Sequence, residues 1–149
     1  PKSLLRHPKV VSSVDEFANG SFQMLIDDAA AKVSAVKTLV FVTGKFYYDL
    51  LSQRDKLENN TVALIRIEQL FPLHEEKIKQ VISRYPHVEK YIWAQEEPKN
   101  MGAWSHMIQR FDFVKLEGVT RPYSSVPAPG SSTRDKQRQQ KVIDTVFQA

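Results

Sequence analysis

Three short apolar runs punctuate the chain, and the segments between them carry a different, helical rhythm. The runs are Thr38-Leu39-Val40-Phe41-Val42, Thr61-Val62-Ala63-Leu64-Ile65-Arg66-Ile67 and Tyr91-Ile92-Trp93-Ala94. A strand covered on both faces has no polar side to show, so it reads as a continuous apolar run rather than an alternation. After the first run, Thr43-Gly44-Lys45 leads into a stripe of Phe46, Tyr47, Leu50, Leu51 and Leu57, the spacing of a helix with one buried face. A second helix is predicted from about Leu73 to Tyr85, with Ile78, Val81, Ile82 and Tyr85 on one side and Pro86 as its stop. After the third run a polar turn, Gln95 to Met101, precedes a helix from about Gly102 to Phe111. Its apolar side holds Ala103, Trp104, Met107, Ile108 and Phe111.

The remaining segments are shorter. Val114 to Val119 is a candidate fourth strand, and Phe22 to Ile26 a brief one with Phe22, Met24 and Ile26 on one face. Ser12-Ser13-Val14-Asp15-Glu16-Phe17 has the spacing of a capping box, and Asn19-Gly20 follows as a turn. Asp27-Asp28 and the alanines after it fit a loop or a short helix. Residues 1–12 read as an extended arm or a linker from a preceding domain, and Arg121 to Ser132 as a long Pro/Ser/Gly loop. Ser132 or Thr133 then caps a final helix docked through Val142, Ile143, Val146 and Phe147. Strands alternating with helices at this spacing predict an α/β fold, a three-layer α/β/α sandwich on a mostly parallel sheet with room for one antiparallel edge strand.

Composition narrows the function classes. The 149 residues suit one domain, 1–149, and 42% hydrophobic with 26% charged residues is an ordinary globular balance. Without cysteine there are no disulfides, thiolate metal sites or cysteine nucleophiles, as in a reducing compartment. No apolar run approaches the roughly 20 residues that span a bilayer, and no signal peptide is evident, so a secreted or membrane protein is not expected. The start at Pro1-Lys2-Ser3, with no initiator Met, carries the expectation of an excised or processed piece. The net charge of +4 gathers partly at the ends, in Lys2, Arg6, His7 and Lys9 and then Arg134, Lys136, Arg138 and Lys141. No nucleic-acid motif or basic-aromatic platform accompanies it, so nucleic acid is not an expected partner.

Candidate chemistry concentrates where strands end. Thr43-Gly44-Lys45 could offer helix N–H groups and a lysine to an anion, or be a plain turn with a solvated lysine, since the P-loop frame and GxGxxG are absent. Arg66, Glu68, Glu96 and Glu97 follow parallel strands, so their carboxyl ends should gather these charges as an ion-pair network or toward a ligand. No histidine stands in a recognisable relation to these carboxylates for acid-base work. His7, His74, His87 and His106 show no metal-ligand spacing, and no nucleophile elbow or Ser-His-Asp pattern occurs. No catalytic, cofactor-binding or metal-binding residues are assigned. Trp93, Gly102 and Trp104 belong either to the core or to an interface.

Five blocks in register resemble the last domain of the decarboxylating component of 2-oxoglutarate dehydrogenase. They are Pro1-Lys2-Ser3-Leu4-Leu5-Arg6-His7-Pro8, Thr43-Gly44-Lys45-Phe46-Tyr47-Tyr48-Asp49-Leu50-Leu51, Arg66-Ile67-Glu68-Gln69-Leu70-Phe71-Pro72, Gln95-Glu96-Glu97-Pro98-Lys99-Asn100-Met101-Gly102-Ala103-Trp104 and Arg121-Pro122. Thr120 stands where glycine is expected, Val126 where a small polar residue is more usual, and the last helix opens with more charge than usual. The resemblance implies a transketolase C-terminal-like domain of a thiamine diphosphate-dependent parent, an oxidoreductase of the tricarboxylic acid cycle that decarboxylates 2-oxoglutarate and passes succinyl to lipoamide. It further implies that thiamine diphosphate and Mg sit outside this chain, which lacks the Gly-Asp-Gly metal motif. A homodimer, a lipoyl acyltransferase core as partner, and a bacterial cytoplasmic or mitochondrial matrix location are implied too. Glu96 and Glu97 are then expected to order a strand-end network with Arg66 and Glu68, and Trp93, Gly102 and Trp104 to face an interface. A nucleotide or acyl-CoA effector, if bound, would meet Lys2, Arg6 and Lys45. The alternatives are a stand-alone regulatory module of that kind, or the same domain from a related 2-oxo acid dehydrogenase or transketolase.

Overall fold

Five strands form one sheet in the order β1-β3-β2-β4-β5, in a computed structural model that describes residues 2–148. The strands are β1 (Leu25–Ile26), β2 (Thr38–Val42), β3 (Val62–Ile67), β4 (Lys90–Pro98) and β5 (Leu116–Arg121). All neighbouring pairs are parallel except β1 with β3, where Leu25 faces Ile67 and Ile26 faces Arg66 in antiparallel register. The α/β class and its one antiparallel edge are therefore as the apolar runs predict.

The alternation of side chains along the strands divides the core in two. Leu39, Phe41, Ala63, Ile65 and Trp93 point to one face and pack with Ile78, Val81, Trp104 and Met107. Those partners come from α3 (Glu75–Ser83) and α4 (Trp104–Arg110). Val40, Val42, Leu64, Ile92 and Ala94 point the other way, onto Phe46 and Leu50 of α2 (Phe46–Lys56) and Val142, Ile143 and Val146 of α5 (Ser132–Gln148). Both faces of the sheet are covered, which is why the central strands needed no polar face.

Several local expectations shift. The arm is coiled rather than extended: Lys2–Leu4 form a 3-10 turn, and Val10 N–H donates to His7 O. Pro1 of that arm lies outside the described residues. The arm meets the domain through a Lys9–Asp55 ion pair and the His7 ring, 5.4 Å from that of Tyr48. The capping box forms on Ser13 and Glu16 and opens α1 (Val14–Asn19), but no residue of α1 is buried. The strand expected over Phe22–Ile26 shortens to Leu25–Ile26, leaving Phe22 exposed. Asp27-Asp28 is loop, the first of the two expected alternatives, leading into a turn at Ala29-Ala30, with a 3-10 helix only at Val33–Ala35. Leu57 and Ile108, expected on buried stripes, are exposed because α2 ends at Lys56 and Ile108 turns off the packed side of α4. Neither Ser132 nor Thr133 caps α5. Ser131 does, its Oγ accepting from Arg134 N–H at 3.4 Å and its carbonyl from Asp135 N–H at 3.0 Å.

The largest correction falls on the stretch after Ala94. No abrupt turn occurs there: β4 runs on through Pro98. Its pairing with β5 steps from Ala94–Val119 to Pro98–Arg121, so β4 spends two more residues than β5 across this interval. Such a bulge re-aims side chains while keeping the strand in the sheet.

Candidate functional site: the carboxyl ends of β2, β3 and β4

The chain leaves β2 toward the α2 face and β4 toward the α4 face, so a crevice opens between their carboxyl ends. Ligand sites of open α/β sheets form at such switch points. Here the crevice holds a connected polar assembly. Lys45 Nζ reaches Asp49 Oδ2 at 2.6 Å and Glu96 Oε2 at 3.4 Å. Gln139 of α5 donates through Nε2 to the same two carboxylates, at 3.1 Å and 2.9 Å. Its Oε1 accepts from Arg121 Nη2 at 2.7 Å, while Arg121 Nη1 pairs with Asp135 at 2.7 Å. Burial tends to lower the Lys45 pKa, but the hydrogen bond to Asp49 and the charges of Glu96 and Asp49 outweigh it and leave the pKa raised. Lys45 is a fixed cation clamped by two acids.

The four residues expected as one network separate. Glu96 joins Lys45. Arg66 donates to Glu68 at 3.1 Å and lies over the rings of Tyr47 and Tyr48, at 4.8 Å and 5.5 Å. Glu97 is exposed, with no side-chain partner among the described residues. Strand alternation explains why the two glutamates part: Glu96 shares the α2 and α5 face with Ala94, while Glu97 falls on the side of Trp93 and Gln95. Lys2 and Arg6 are exposed, and neither has a side-chain partner among the described residues.

Gln95 is the residue that sequence reasoning passed over. Only 3% exposed, it accepts through Oε1 from Trp93 Nε1 and from Trp104 N–H, both at 2.9 Å. Its Nε2 donates to Met101 O at 2.7 Å and Pro98 O at 3.2 Å. One amide thus joins β4, the 98–102 turn and the start of α4. Gly102 sits against it with φ +65°, and a Cβ there would lie 2.9–3.1 Å from the Gln95 amide. The available signal was Gln95 standing two residues after Trp93, on the same face of a strand. The indoles that this amide holds are core: Trp93 is 0% and Trp104 8% exposed. An interface would need exposed indole surface, and that surface is packed inside the chain instead.

A second missed cluster lies across the sheet. Asp28, 8% exposed, ion-pairs with Arg54 and accepts from Leu64 N–H at 2.9 Å. It ties the β1 turn to α2 and β3. Beside the crevice, a recess of about 400 Å³ is lined by Thr43, Phe71, Trp93, Gln95, Glu97 and His106 among others. His106 Nε2 lies 2.9 Å from Leu70 O, and Phe71, followed by a cis peptide to Pro72, is exposed at its rim.

No three His, Asp or Glu side chains among the described residues converge to hold a metal. The two acids that do meet, Asp49 and Glu96, have their near oxygens filled by Lys45 and Gln139. The residues present therefore do not fit a thiamine diphosphate–magnesium site. No helix among them is long and apolar enough to cross a membrane.

Fold and crevice define a class: a three-layer α/β domain whose strand ends are tied together by an internal polar assembly. A solved 2-oxoglutarate:ferredoxin oxidoreductase from Magnetococcus marinus shares that fold, with a TM-score of 0.53 over 84% of this chain and 20% of that one, at 13% identity. The chain itself belongs to the 2-oxoglutarate dehydrogenase C-terminal family, whose profile matches residues 11–147. It is 46% identical to the 2-oxoglutarate dehydrogenase E1 component of Haemophilus influenzae over 98% of this chain and 16% of the relative. It is 40% identical to the 2-oxoadipate dehydrogenase complex component E1 of Mus musculus over 99% of this chain and 17% of that protein. The chain thus spans about a sixth of the length of these curated relatives.

Proposed function

We propose that this chain is the C-terminal assembly domain of a thiamine diphosphate-dependent 2-oxoglutarate dehydrogenase first component. That enzyme decarboxylates 2-oxoglutarate and delivers the succinyl group to the lipoyl arm of an acyltransferase core. The domain's own part is mechanical: it holds the strand-end crevice rigid and packs against the rest of a dimeric parent, in a bacterial cytoplasm or mitochondrial matrix. Thiamine diphosphate and magnesium are held elsewhere in that parent.

The observation that carries the assembly role is where the chain leaves apolar surface uncovered. Leu5, Val11, Val14, Phe17 and Phe22, five of the ten exposed large apolar side chains among the described residues, are at least 66% exposed and follow one another from the arm to just past α1. Apolar side chains concentrated in one segment mark a contact surface rather than scattered exposure. The crevice supports the same reading, because its acids and cations already satisfy one another. An effector at Lys45 would have to displace Asp49 and Glu96, so the nucleotide or acyl-CoA module is not carried as a second reading.

Calorimetry of this chain with thiamine diphosphate and Mg²⁺ is expected to show no saturable heat; micromolar binding would overturn the non-catalytic assignment. The substrate is tested on the parent enzyme with 2-oxoglutarate and 2-oxoadipate. A higher kcat/KM for 2-oxoadipate would move the chain to the other group of relatives. Titration with acetyl-CoA, AMP and ADP is expected to give no response at Lys2, Arg6 or Lys45.

A further inference from the structure

The sheet is open on its β5 side. β5 is last in the strand order and pairs only with β4. Beyond that ladder, Glu117 to Thr120 make no backbone hydrogen bond among the described residues. An unpaired strand edge is a template for another strand, and proteins usually blunt it with charge or proline. Lys115 and Pro122 flank β5 and Glu117 and Arg121 lie near its ends, but both charges are paired, with Lys90 and Asp135, and the central Gly118, Val119 and Thr120 carry neither charge nor proline.

Alongside runs a groove of about 430 Å³ between β5, the Pro122–Ser124 segment and α5. Arg138, Lys141, Val142 and Thr145 form its helical wall, spaced so that they share one face of α5. Val119 and Val142 make an apolar floor, and Tyr123 stands exposed at the rim. Two of the groove's three cations, Arg138 and Lys141, are unmatched. The nearby acids are already engaged: Glu117 with Lys90 at 3.4 Å, Asp135 with Arg121 at 2.7 Å, and Asp144 with Gln140 at 2.8 Å. Arg138 and Lys141 form no ion pair among the described residues, and Arg121 in the groove wall keeps a buried Nε–H without an acceptor.

We propose that the β5 edge and this groove receive an extended acidic segment of another protein, added as a sixth strand beside β5 with its carboxylates on Arg138 and Lys141. Backbone pairing would supply the register, and the two cations the choice of partner. Length favours a peptide over a small anion: six residues of strand offer backbone groups over about 20 Å. Charge disfavours a second copy of this chain. A two-fold pairing of β5 with β5 would place both α5 helices on one face of the joined sheet and bring two sets of Arg138 and Lys141 to a seam with no free acids.

The probe is an acetylated, amidated hexapeptide of alternating Glu and Val, titrated into the isotope-labelled chain with amide exchange read by NMR. Slowed exchange within residues 117–120 and shifts at Tyr123 and along α5 are expected. Arg138→Glu with Lys141→Glu, both at exposed positions, should weaken binding at least tenfold while leaving the circular dichroism unchanged. The same peptide N-methylated at alternate residues should not bind, and neither should a Lys/Val version. Unperturbed β5 amides would overturn the proposal, as would equal binding of the N-methylated peptide, which would leave only a charged groove. Protection of β5 without peptide, together with a dimer in sedimentation, would assign the edge to a second copy and overturn it equally.

Discussion

Gln95 shows how much of the crevice hangs on one neutral side chain. Its two amide atoms serve two N–H donors and the carbonyls of Glu97, Pro98 and Met101 from a side chain that is almost wholly buried. Replacing it by alanine leaves those groups unpaired, so Gln95→Ala is expected to cost about 2–4 kcal/mol in urea unfolding. Gly102→Ala should be destabilising in the same assay, because it combines a positive φ with a Cβ against that amide. Asp28 is a different case, a buried charge whose partner is also buried. Asp28→Ala strands the Arg54 guanidinium and the Leu64 N–H, and a loss of about 3–5 kcal/mol is expected from an uncompensated buried cation. Neither Gln95 nor Asp28 was singled out as functional by residue type. A glutamine after a strand and an aspartate in an Asp-Asp turn are common on surfaces, and only their neighbours in space make them structural.

At the scale of elements, the junction of β5 and α4 is set by a glycine. A Cβ at Gly118 would lie 2.8–2.9 Å from the Trp104 ring, so the indole can lie across β5 only because position 118 has no side chain. Gly118→Ala is expected to cost about 1–3 kcal/mol through overpacking, visible as a lowered urea midpoint and altered Trp fluorescence. α1 behaves differently. Its Ser13–Glu16 box satisfies the helix N-terminus, yet none of its residues is buried. Ser13→Ala should therefore raise amide exchange over Val14–Asn19 and leave the global unfolding midpoint unmoved, a separation that native-state exchange measures directly. Element types were legible because periodicity reports burial. Element ends were not: β4 outran its apolar run because a bulge and the Gln95 hydrogen bonds kept a polar stretch in the sheet.

For the whole molecule, the sign of the alkaline pH dependence is set by groups of raised pKa, and Tyr47, lifted chiefly by burial, acts in the same direction as Tyr85 and Lys45. The Tyr85 hydroxyl is pushed above its ordinary value first by burial and then by donating to Asp27 at 2.7 Å. Lys45 is also raised, despite its burial, by its two acids. For both, the folded pKa exceeds the unfolded one, so the folded state holds more protons once pH passes the unfolded values near 10. Stability from these groups is fully present below about pH 10 and is lost as pH rises through the folded values. Urea midpoints are expected to hold level from pH 8 to about pH 10 and then fall, with Tyr85→Phe flattening part of the fall. A fall setting in below pH 9 would place the responsible group elsewhere.

The five motif blocks carried the family resemblance, while the order of apolar runs and helical stripes was enough for the three layers and the parallel sheet. These rest on local period and on the need to bury both faces of β2, β3 and β4. Linear order could not say which polar residues would meet. The continuation of β4 past Ala94 turns Glu96 to Lys45 and leaves Glu97 on the opposite side and exposed, while Arg66 turns to Tyr47 and Tyr48. The two tryptophans were ambiguous in the sequence because an apolar ring suits a core and an interface equally; packing around Gln95, Gly102 and Gly118 put them inside. Periodicity carries burial along the chain, but Gln139 meets Glu96 and Asp49 from 43 and 90 positions away, and only the folded backbone brings such residues together.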